Sequence, residues 1–545
     1  MLNGNGQTGT SHTNGQLNGQ HNGKHDGQPP VADATAKRTR RGVHGEPWRV
    51  AVVIPGYQRR EDLEKLFKDI SRLDLRGITL WSVLVDNNSP TPLNTISIPA
   101  NCRVEHYRLD KNTGGAGGFS AGIARVMSGE GLTGEFDTPD FLWLLDSDVR
   151  VARRSLRELI KAAIKHKNYC AFGSALVDLV TKTTYEIGGR MNPKNGFFVP
   201  AAVGDVDKRK IIPAEYLAAC STLVRYDAVK KTGLMPDIFI HGDDVEWCLQ
   251  MTRKTGMKVG GVPTSKAGHP LWSRKFQTWV RYYTTRNAYA PIDVCGFGPK
   301  TRFRRAGVDV LRAIGQIFTG MDELAELHLV GLEHAGQCKT EGHEIPGGMM
   351  KIIQSTKMQP YANLAAAVKE EAAKFEQREG RKPSIYVHPL MALRCSDLPG
   401  LREQLEILGK LPPKGWNKNS EWLYWHHRSL GSHMKSDMVK GVLRGLFAGK
   451  ADIAIVPTGR PTSWFRGTHN FLLTNDGWQL RTVETGDALK KGVAGFIRGL
   501  KAMIAIYRRP RTFHNLRPVP ERVATAGAKN ARSVEVKPAA AVATT

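Results

Sequence analysis

The sequence predicts an α/β fold with a mostly parallel sheet flanked by helices, followed by a largely α-helical C-terminal region. Three observations predict it. β-Branched runs alternate with amphipathic helical segments from Trp48 to about residue 170. The chemistry-bearing residues all fall just after the strands, where ligands of open parallel sheets sit. From about residue 295 the periodicity becomes helical.

Order is expected to begin at Trp48, with Val50 to Ile54 as a buried parallel strand ended by Gly56. Leu63, Leu66, Phe67 and Ile70 then mark one apolar helix face. Further strands are expected at Leu80–Val85, closed by Asp-Asn-Asn-Ser-Pro, around Arg103–Tyr107, and at Phe141–Leu145, which runs into Asp146-Ser147-Asp148. Leu156, Leu159, Ile160 and Ile164 stripe the helix after it. Helices are expected over 305–335 and 360–378, and one more strand over 383–394.

The chain has 545 residues, 78 Lys plus Arg and 51 Asp plus Glu, so the formal net charge is +27. At 41% hydrophobic and 24% charged, it can bury a large core, which excludes a wholly disordered chain. Seven scattered cysteines without a C-x-x-C argue against a disulfide framework or zinc finger and fit a reducing compartment. There is no signal-peptide pattern and no apolar run of membrane-spanning length. The positive charge points to an anionic partner: nucleic acid, acidic lipid or a phosphorylated substrate.

Four segments carry chemistry. Asp146 and Asp148, one residue apart at a strand end, can share a hard divalent cation together with a diphosphate. Asp148 as a helix N-cap is the alternative. The run Asn112 to Phe119 has four glycines in five positions, which lets backbone approach an anion or makes a tight turn. His241 to Leu249 places Asp243, Asp244 and Glu246 at a helix start. One acid suffices as cap, which leaves a candidate general base. His269, with Trp272 nearby, offers an imidazole ligand if the fold brings it to Asp148. Arg281 and Arg286 read as helix-surface cations or pyrophosphate contacts.

Taken in order, VVIPGYQRREDL, VLVDNNSP, NTGGAGGF, LLDSDV, FIHGDDVEW, AGHP and YYTTRNAYA resemble a family-2 glycosyltransferase of the GT-A fold, nearest its galactofuranosyltransferase-like subgroup. The resemblance spans roughly 48–292. It implies that Pro55, Tyr57, Arg59 and Asp86 line a nucleotide pocket, and that Asn112, Gly114 and Gly115 face the diphosphate. It implies that Asp146, Asp148 and His269 hold Mn²⁺ or Mg²⁺, and that Asp244 is the catalytic base. Asp243, Glu246, Trp247 and Trp272 would lie on the acceptor side. The activity implied is inverting transfer of a galactofuranose-type sugar from a UDP-sugar to a polyprenyl- or lipid-linked glycan of the cell envelope. The sequence departs from the subgroup at Ala219 and Cys220, where paired tryptophans are expected, and has no folded domain before Trp48. The D-x-E-W-C-L run also resembles rhamnosyltransferases that use dTDP-rhamnose, but the glycine cluster is less like theirs. A nucleic-acid-binding protein is the alternative of another class, and no RNA- or DNA-binding motif supports it.

The expected organisation is a disordered arm at 1–44, a GT-A domain at 45–295, a mostly helical domain at 296–510, and a flexible basic tail at 511–545. Residues 490–509 put Val493, Phe496, Ile497, Leu500, Ile504 and Tyr507 on one face, with Arg498, Lys501 and Arg508 elsewhere. Such a basic amphipathic helix either lies on an anionic membrane surface or docks on the catalytic domain. KGVLRGLFAGK at 440–450 has similar character. The expected location is cytoplasmic, peripheral on the inner face of the cell membrane, with an oligomer left open. His334, Cys338, His343, His426 and His427 match no metal-site pattern.

Overall fold

A computed structural model describes residues 45–136, 138–179, 181–270, 279–339, 358–387, 400–409, 451–457, 467–473 and 477–522. The expected arm at 1–44, Trp272, the 440–450 segment, His343, His426, His427 and the tail beyond 522 lie outside them. Among the described residues no helix is long and apolar enough to cross a membrane.

The first half runs β1 (Trp48–Gly56), α1 (Arg60–Ile70), β2 (Ile78–Asp86), β3 (Val104–Arg108), α2 (Gly114–Ser128), β4 (Phe141–Leu145), β5 (Arg150–Val151), α3 (Ser155–Lys165) and β6 (Tyr169–Asp178). Short strands β7 (Thr184–Glu186), β8 (Gly189–Met191), β9 (Phe198–Pro200) and β10 (Ile212–Ala214) follow. Then come β11 (Ser221–Arg225), α4 (Tyr226–Thr232), α5 (Asp243–Thr255) and β12 (Lys258–His269).

The main sheet has the order β10-β12-β6-β11-β4-β1-β2-β3, with β5 beside β12 and β7 beside β6. Strands β1, β2, β3 and β4 are mutually parallel, and β12 is parallel to β6. Strand β11 runs antiparallel between β4 and β6. This is the mixed, mostly parallel sheet of a GT-A-like fold. Period-two alternation sorts its side chains into two cores. Val50, Val52 and Ile54 pack with Leu63, Phe67 and Leu159 of α1 and α3 on one face. Ala51 and Val53 pack with Phe119, Ile123 and Trp247 on the other. Burial on both faces explains the unbroken apolar runs.

The glycine cluster, expected as a loop before a helix, is the first turn and a half of α2. Its glycines are steric. A Cβ at Gly122 would lie 2.3 Å from Val53 Cγ1, and one at Gly118 would lie 2.7 Å from Pro55 Cβ. Gly114 has φ +72° and leaves 2.1 Å between an added Cβ and the Phe239 carbonyl oxygen. Helix and strand therefore approach at backbone distance.

The C-terminal region begins with α6 (Val280–Arg286), α7 (Tyr289–Val294), α8 (Pro299–Ile317) and α9 (Asp322–Gly336). Next come α10 (Leu364–Glu379), β13 (Ile385–Val387), α11 (Leu401–Ile407), β14 (Ala451–Pro457), β15 (Gly467–Leu473), β16 (Trp478–Thr482) and α12 (Thr485–Arg508). The region is helical as expected but also holds a four-stranded sheet, β13-β14-β15-β16, of which the sequence suggested one strand. Ile453 and Ile455 face Leu364, Val368 and Leu401. Ala454 and Val456 face Tyr282, Leu324 and Leu327. The tail expected to be flexible from 511 is instead bound over its described part. Leu234 N–H donates to the Arg517 carbonyl at 2.8 Å, and Arg522 Nη2 donates to the Phe136 carbonyl at 2.6 Å.

Gly122→Val is expected to destabilise the fold by about 2 kcal/mol, because the added methyls meet Val53 and Val85 in a closed core. Chemical denaturation of the variant against the parent measures it.

Candidate active site

The expected residues gather at the carboxyl ends of β1, β2 and β4, where the sheet leaves room for a ligand. Asp146 follows β4 directly. Cys220 lies beside it because Ser221 pairs with Leu145. Strand β12 pairs with β5 through Gly268 and Arg150, which carries His269 to the same place. His269 Nε2 is 3.5 Å from an Asp146 carboxylate oxygen and 3.6 Å from an Asp148 one. Ligand bonds of roughly 2.1 Å let two donors on one small ion sit up to about 4.2 Å apart, so each aspartate by itself is within reach of an ion held by His269. Donor atoms of Asp146, Cys220 and His269 lie within 4.8 Å of one another.

The other imidazole nitrogen is engaged. Tyr185 Oη lies 3.0 Å from His269 Nδ1. When Nδ1–H donates to this hydroxyl, Nε2 presents its lone pair toward the aspartates. Asp148 is not a helix cap: β5 intervenes and Arg154 occupies the N-cap of α3. Its 9% side-chain exposure leaves it lining the site from below.

Asp244 is the second residue of α5, near enough to Asp146 for that charge to act on it. One oxygen accepts the Ala219 N–H at 3.2 Å and the other the Val245 N–H at 2.8 Å. Burial raises the pKa of both Asp243 and Asp244, with Asp244's charge adding to the shift of Asp243 and Asp146's charge to both. The backbone entering α5 is strained: Phe239, His241 and Gly242 have φ of 69°, 69° and 84°. Asn287 braces it, its amide donating to the carbonyls of Ile240 at 2.9 Å and His241 at 3.1 Å. Arg286 is the second brace. It is buried, its Nη2 donates to the Ile238 carbonyl at 3.1 Å, and its guanidinium lies 5.2 Å from the ring centroids of Tyr282 and Tyr283. It is buried rather than a surface cation.

Residues 51–222 match the family model described as Glycosyl transferase family 2. Residues 51–222 of this chain are a family 2 glycosyltransferase domain.

Among curated proteins, none matches the sequence significantly. Solved structures give weak likenesses to the glycosyltransferase. Staphylococcus aureus TarS 1–349 is 12% identical with a TM-score of 0.35, over 61% of this chain and 92% of that one. The mannosyltransferase PcManGT from Pyrobaculum calidifontis, in complex with GDP-Man and Mn²⁺, is 13% identical with a TM-score of 0.32, over 64% and 88%. GalNAc-T7 with UDP, GalNAc and Mn²⁺ is 14% identical with a TM-score of 0.32, over 45% of this chain. The match spans about half of GalNAc-T7, 51% of that chain.

The remaining expected residues of the glycosyltransferase divide into two sets. Tyr57 is 41% exposed at the end of β1, and Arg59 is exposed and pairs with Asp62. Pro55 packs against Gly118. Asp86 is buried and shapes its own loop: it accepts the Ser89 N–H at 2.8 Å and the Leu93 N–H at 3.0 Å, and pairs with Arg108. Burial alone would raise its pKa, but these partners outweigh burial and lower it. Asn112 Oδ1 accepts the Gly114 N–H at 2.9 Å, and the nearest side-chain atom to an added Cβ at Gly115 is on Ile240, at 3.9 Å.

Glu246 and Trp247 are placed differently from expectation. The helical period turns both into the core behind α5. Glu246 is wholly buried, accepts Gln250 Nε2 and His514 N–H, and pairs with His514 Nδ1 at 2.8 Å. It anchors the C-terminal strap rather than facing an acceptor. Trp247 is 1% exposed and donates to the Gly233 carbonyl at 2.9 Å.

Three residues escaped the sequence reading. Asn87 clamps the glycine turn: Nδ2 donates to the Gly114 carbonyl and Oδ1 accepts the Thr113 N–H, both at 2.8 Å. Its place after β2 was a usable signal. Tyr185 and Glu186 come from a short strand without any motif. Burial pushes Glu186 up to about 8, with the charge of Asp244 adding to the shift.

Glu246→Ala is expected to cost roughly 3 kcal/mol of stability, because it leaves His514 buried without its carboxylate. Thermal unfolding checks this. A change in acceptor KM at unchanged stability would return Glu246 to the acceptor side.

Proposed function

We propose that the protein is a metal-dependent, inverting glycosyltransferase that moves a galactofuranose-type sugar from a UDP-sugar to a lipid-linked cell-envelope glycan. The reaction would take place at the inner face of the cell membrane. The observation that carries the reading is the approach of His269 to both Asp146 and Asp148, with Asp244 in the first turn of α5.

Asp146, Asp148 and His269 are a carboxylate–imidazole donor set suited to Mn²⁺ or Mg²⁺. Such a cation, when bound, would neutralise charge growing on the departing diphosphate oxygens. Tyr185 fixes the His269 ring, so the donor atom does not have to be ordered on binding. Tyr57 and Arg59, exposed beside the first strand, would meet the nucleotide. Asp244, as its carboxylate, would accept the proton of the acceptor hydroxyl while that oxygen attacks the anomeric carbon from the side opposite the diphosphate. A single displacement inverts the centre. The Ala219 N–H orients the accepting carboxylate. Asp243, Glu186 and the small side chains of Ala219 and Cys220 would border the space for sugar and acceptor. A basic nucleic-acid-binding protein would need none of this convergence.

Release of UDP from UDP-galactofuranose with Mn²⁺ and a lipid-linked acceptor tests the reading, with dTDP-rhamnose as the competing donor. Asp244→Asn is expected to lower transfer at least about a hundredfold while nucleotide still binds. Transfer at the wild-type rate would remove Asp244 as the base. Chelation with EDTA is expected to abolish transfer and Mn²⁺ to restore it, with Asp148→Ala raising the Mn²⁺ needed about tenfold or more.

The pH dependence has a definite sign. A base works only when ionised, and the raised pKa of Asp244 means protonation begins above the ordinary carboxylate value of about 4. The rate is therefore expected to fall on the acid side at a pH well above about 4. A kcat/KM profile flat down to that value would contradict it.

A further inference from the structure

We propose that the outward face of α12 docks the enzyme on an anionic lipid surface. The helix packs against the protein mainly through small residues, with Ile506 beside them. Gly492, Gly495 and Gly499 are buried, and added Cβ atoms there would meet Phe318 at 2.9 Å, Ile317 at 2.9 Å and Val310 at 2.7 Å. The large apolar residues point the other way. Leu489, Val493, Phe496, Ile497, Leu500 and Ile504 are each between 40% and 55% exposed. Their spacing keeps them on one stripe, which runs for about 27 Å to Tyr507 at 1.5 Å per residue. Tyr507 extends the stripe onto α8, its ring 6.0 Å from that of exposed Phe303.

Charge chooses the occupant. Lys490, Lys501 and Arg508 line one edge of the stripe and are exposed. The acids nearby are neutralised: Lys491 pairs with Asp322 and Asp487, and Arg498 with Glu326 and Glu333. An apolar stripe edged by cations lies stably in the headgroup layer of an anionic bilayer, the cationic heads reaching the phosphates. A second copy of a chain carrying +27 would meet like charge at that edge.

The placement also serves the reaction. Thr301 Oγ1 and Arg304 Nη1 of α8 donate to the carbonyls of Pro193 and Lys194, in the turn that leads to Phe198. Phe198 is 37% exposed, and its ring comes within 4.0 Å of the Cβ position at Gly242, the residue before Asp243 and Asp244. The Tyr507 end of the stripe is thus joined through one turn to the head of α5. The inference deepens the proposed lipid-linked acceptor and rests on that reading, but its test does not use transfer.

The test is co-sedimentation of the full chain with phosphatidylcholine vesicles, with and without phosphatidylglycerol. The two variants are Ile497→Glu with Leu500→Glu, and Lys490→Glu with Lys501→Glu and Arg508→Glu. The chain is expected to sediment only with the anionic vesicles. The apolar pair is expected to weaken that at least about tenfold, and the charge-reversed triple about a hundredfold or more. Nucleotide release in solution is expected to stay at the parent level in both. Parent-level vesicle binding by the apolar pair would overturn the proposal, since net charge alone would then explain attachment. A parent dimer that this pair converts to monomer would overturn it in favour of a second copy. Vesicle binding with no turnover of any donor would overturn the proposed function and leave this inference standing.

Discussion

The structure depends on holding several carboxyl groups closer together, and further from water, than they would sit in solution. Glu186, Asp243 and Asp244 all have raised pKa values, with burial as the first cause. A raised acid stabilises the fold fully below its unfolded pKa and loses that stability as pH rises through its folded pKa. The cluster is therefore a cost at neutral pH, and the surrounding fold must offset it. The braces are visible: Asn287 and Arg286 on the strained entry to α5, the Ala219 N–H on Asp244, and Tyr185 on His269.

The rest of the chain supports that edge. The glycines of α2 bring its backbone against β1 and against the Phe239 carbonyl, so the turn before α5 is pinned from the opposite side. The strap from Arg509 to Arg522 closes over α5 through the Glu246–His514 pair and over the end of α2 through Arg522. The second sheet lies between α10 and α11 on one face and α6 and α9 on the other, which fixes the helix that carries Arg286. Helix α12 then packs on α8 and α9 mainly through Gly and Ala, with Ile506 the one large side chain among its buried residues.

Amphipathic pattern alone misjudges such a helix. The usual rule turns large apolar residues inward, and α12 does the reverse because its glycine face permits a closer approach between helices than leucine would. The apolar stripe is left outside, edged by lysine and arginine. The same logic explains Glu246 and Trp247: a three-residue spacing puts one of three clustered acids into the core, where it serves a distant histidine.

What the sequence by itself determined was local. Periodicity placed β1, β2, β4, α1 and α3 within a residue or two, because alternation and helical stripes are imposed by the core each element meets. The ordered motifs pointed to Asp146, Asp148 and His269, and the structure brings His269 within 3.6 Å of both aspartates because β4 and β12 end at the same edge. The tertiary structure alone decided which side chains face that space. It turned Glu246, Trp247 and Arg286 inward, bound the strap, and brought in Asn87, Tyr185 and Glu186 from segments without motifs. The physical reason is that orientation depends on register and packing between distant segments, such as His514 and Glu246, 268 residues apart. No local pattern encodes such a contact.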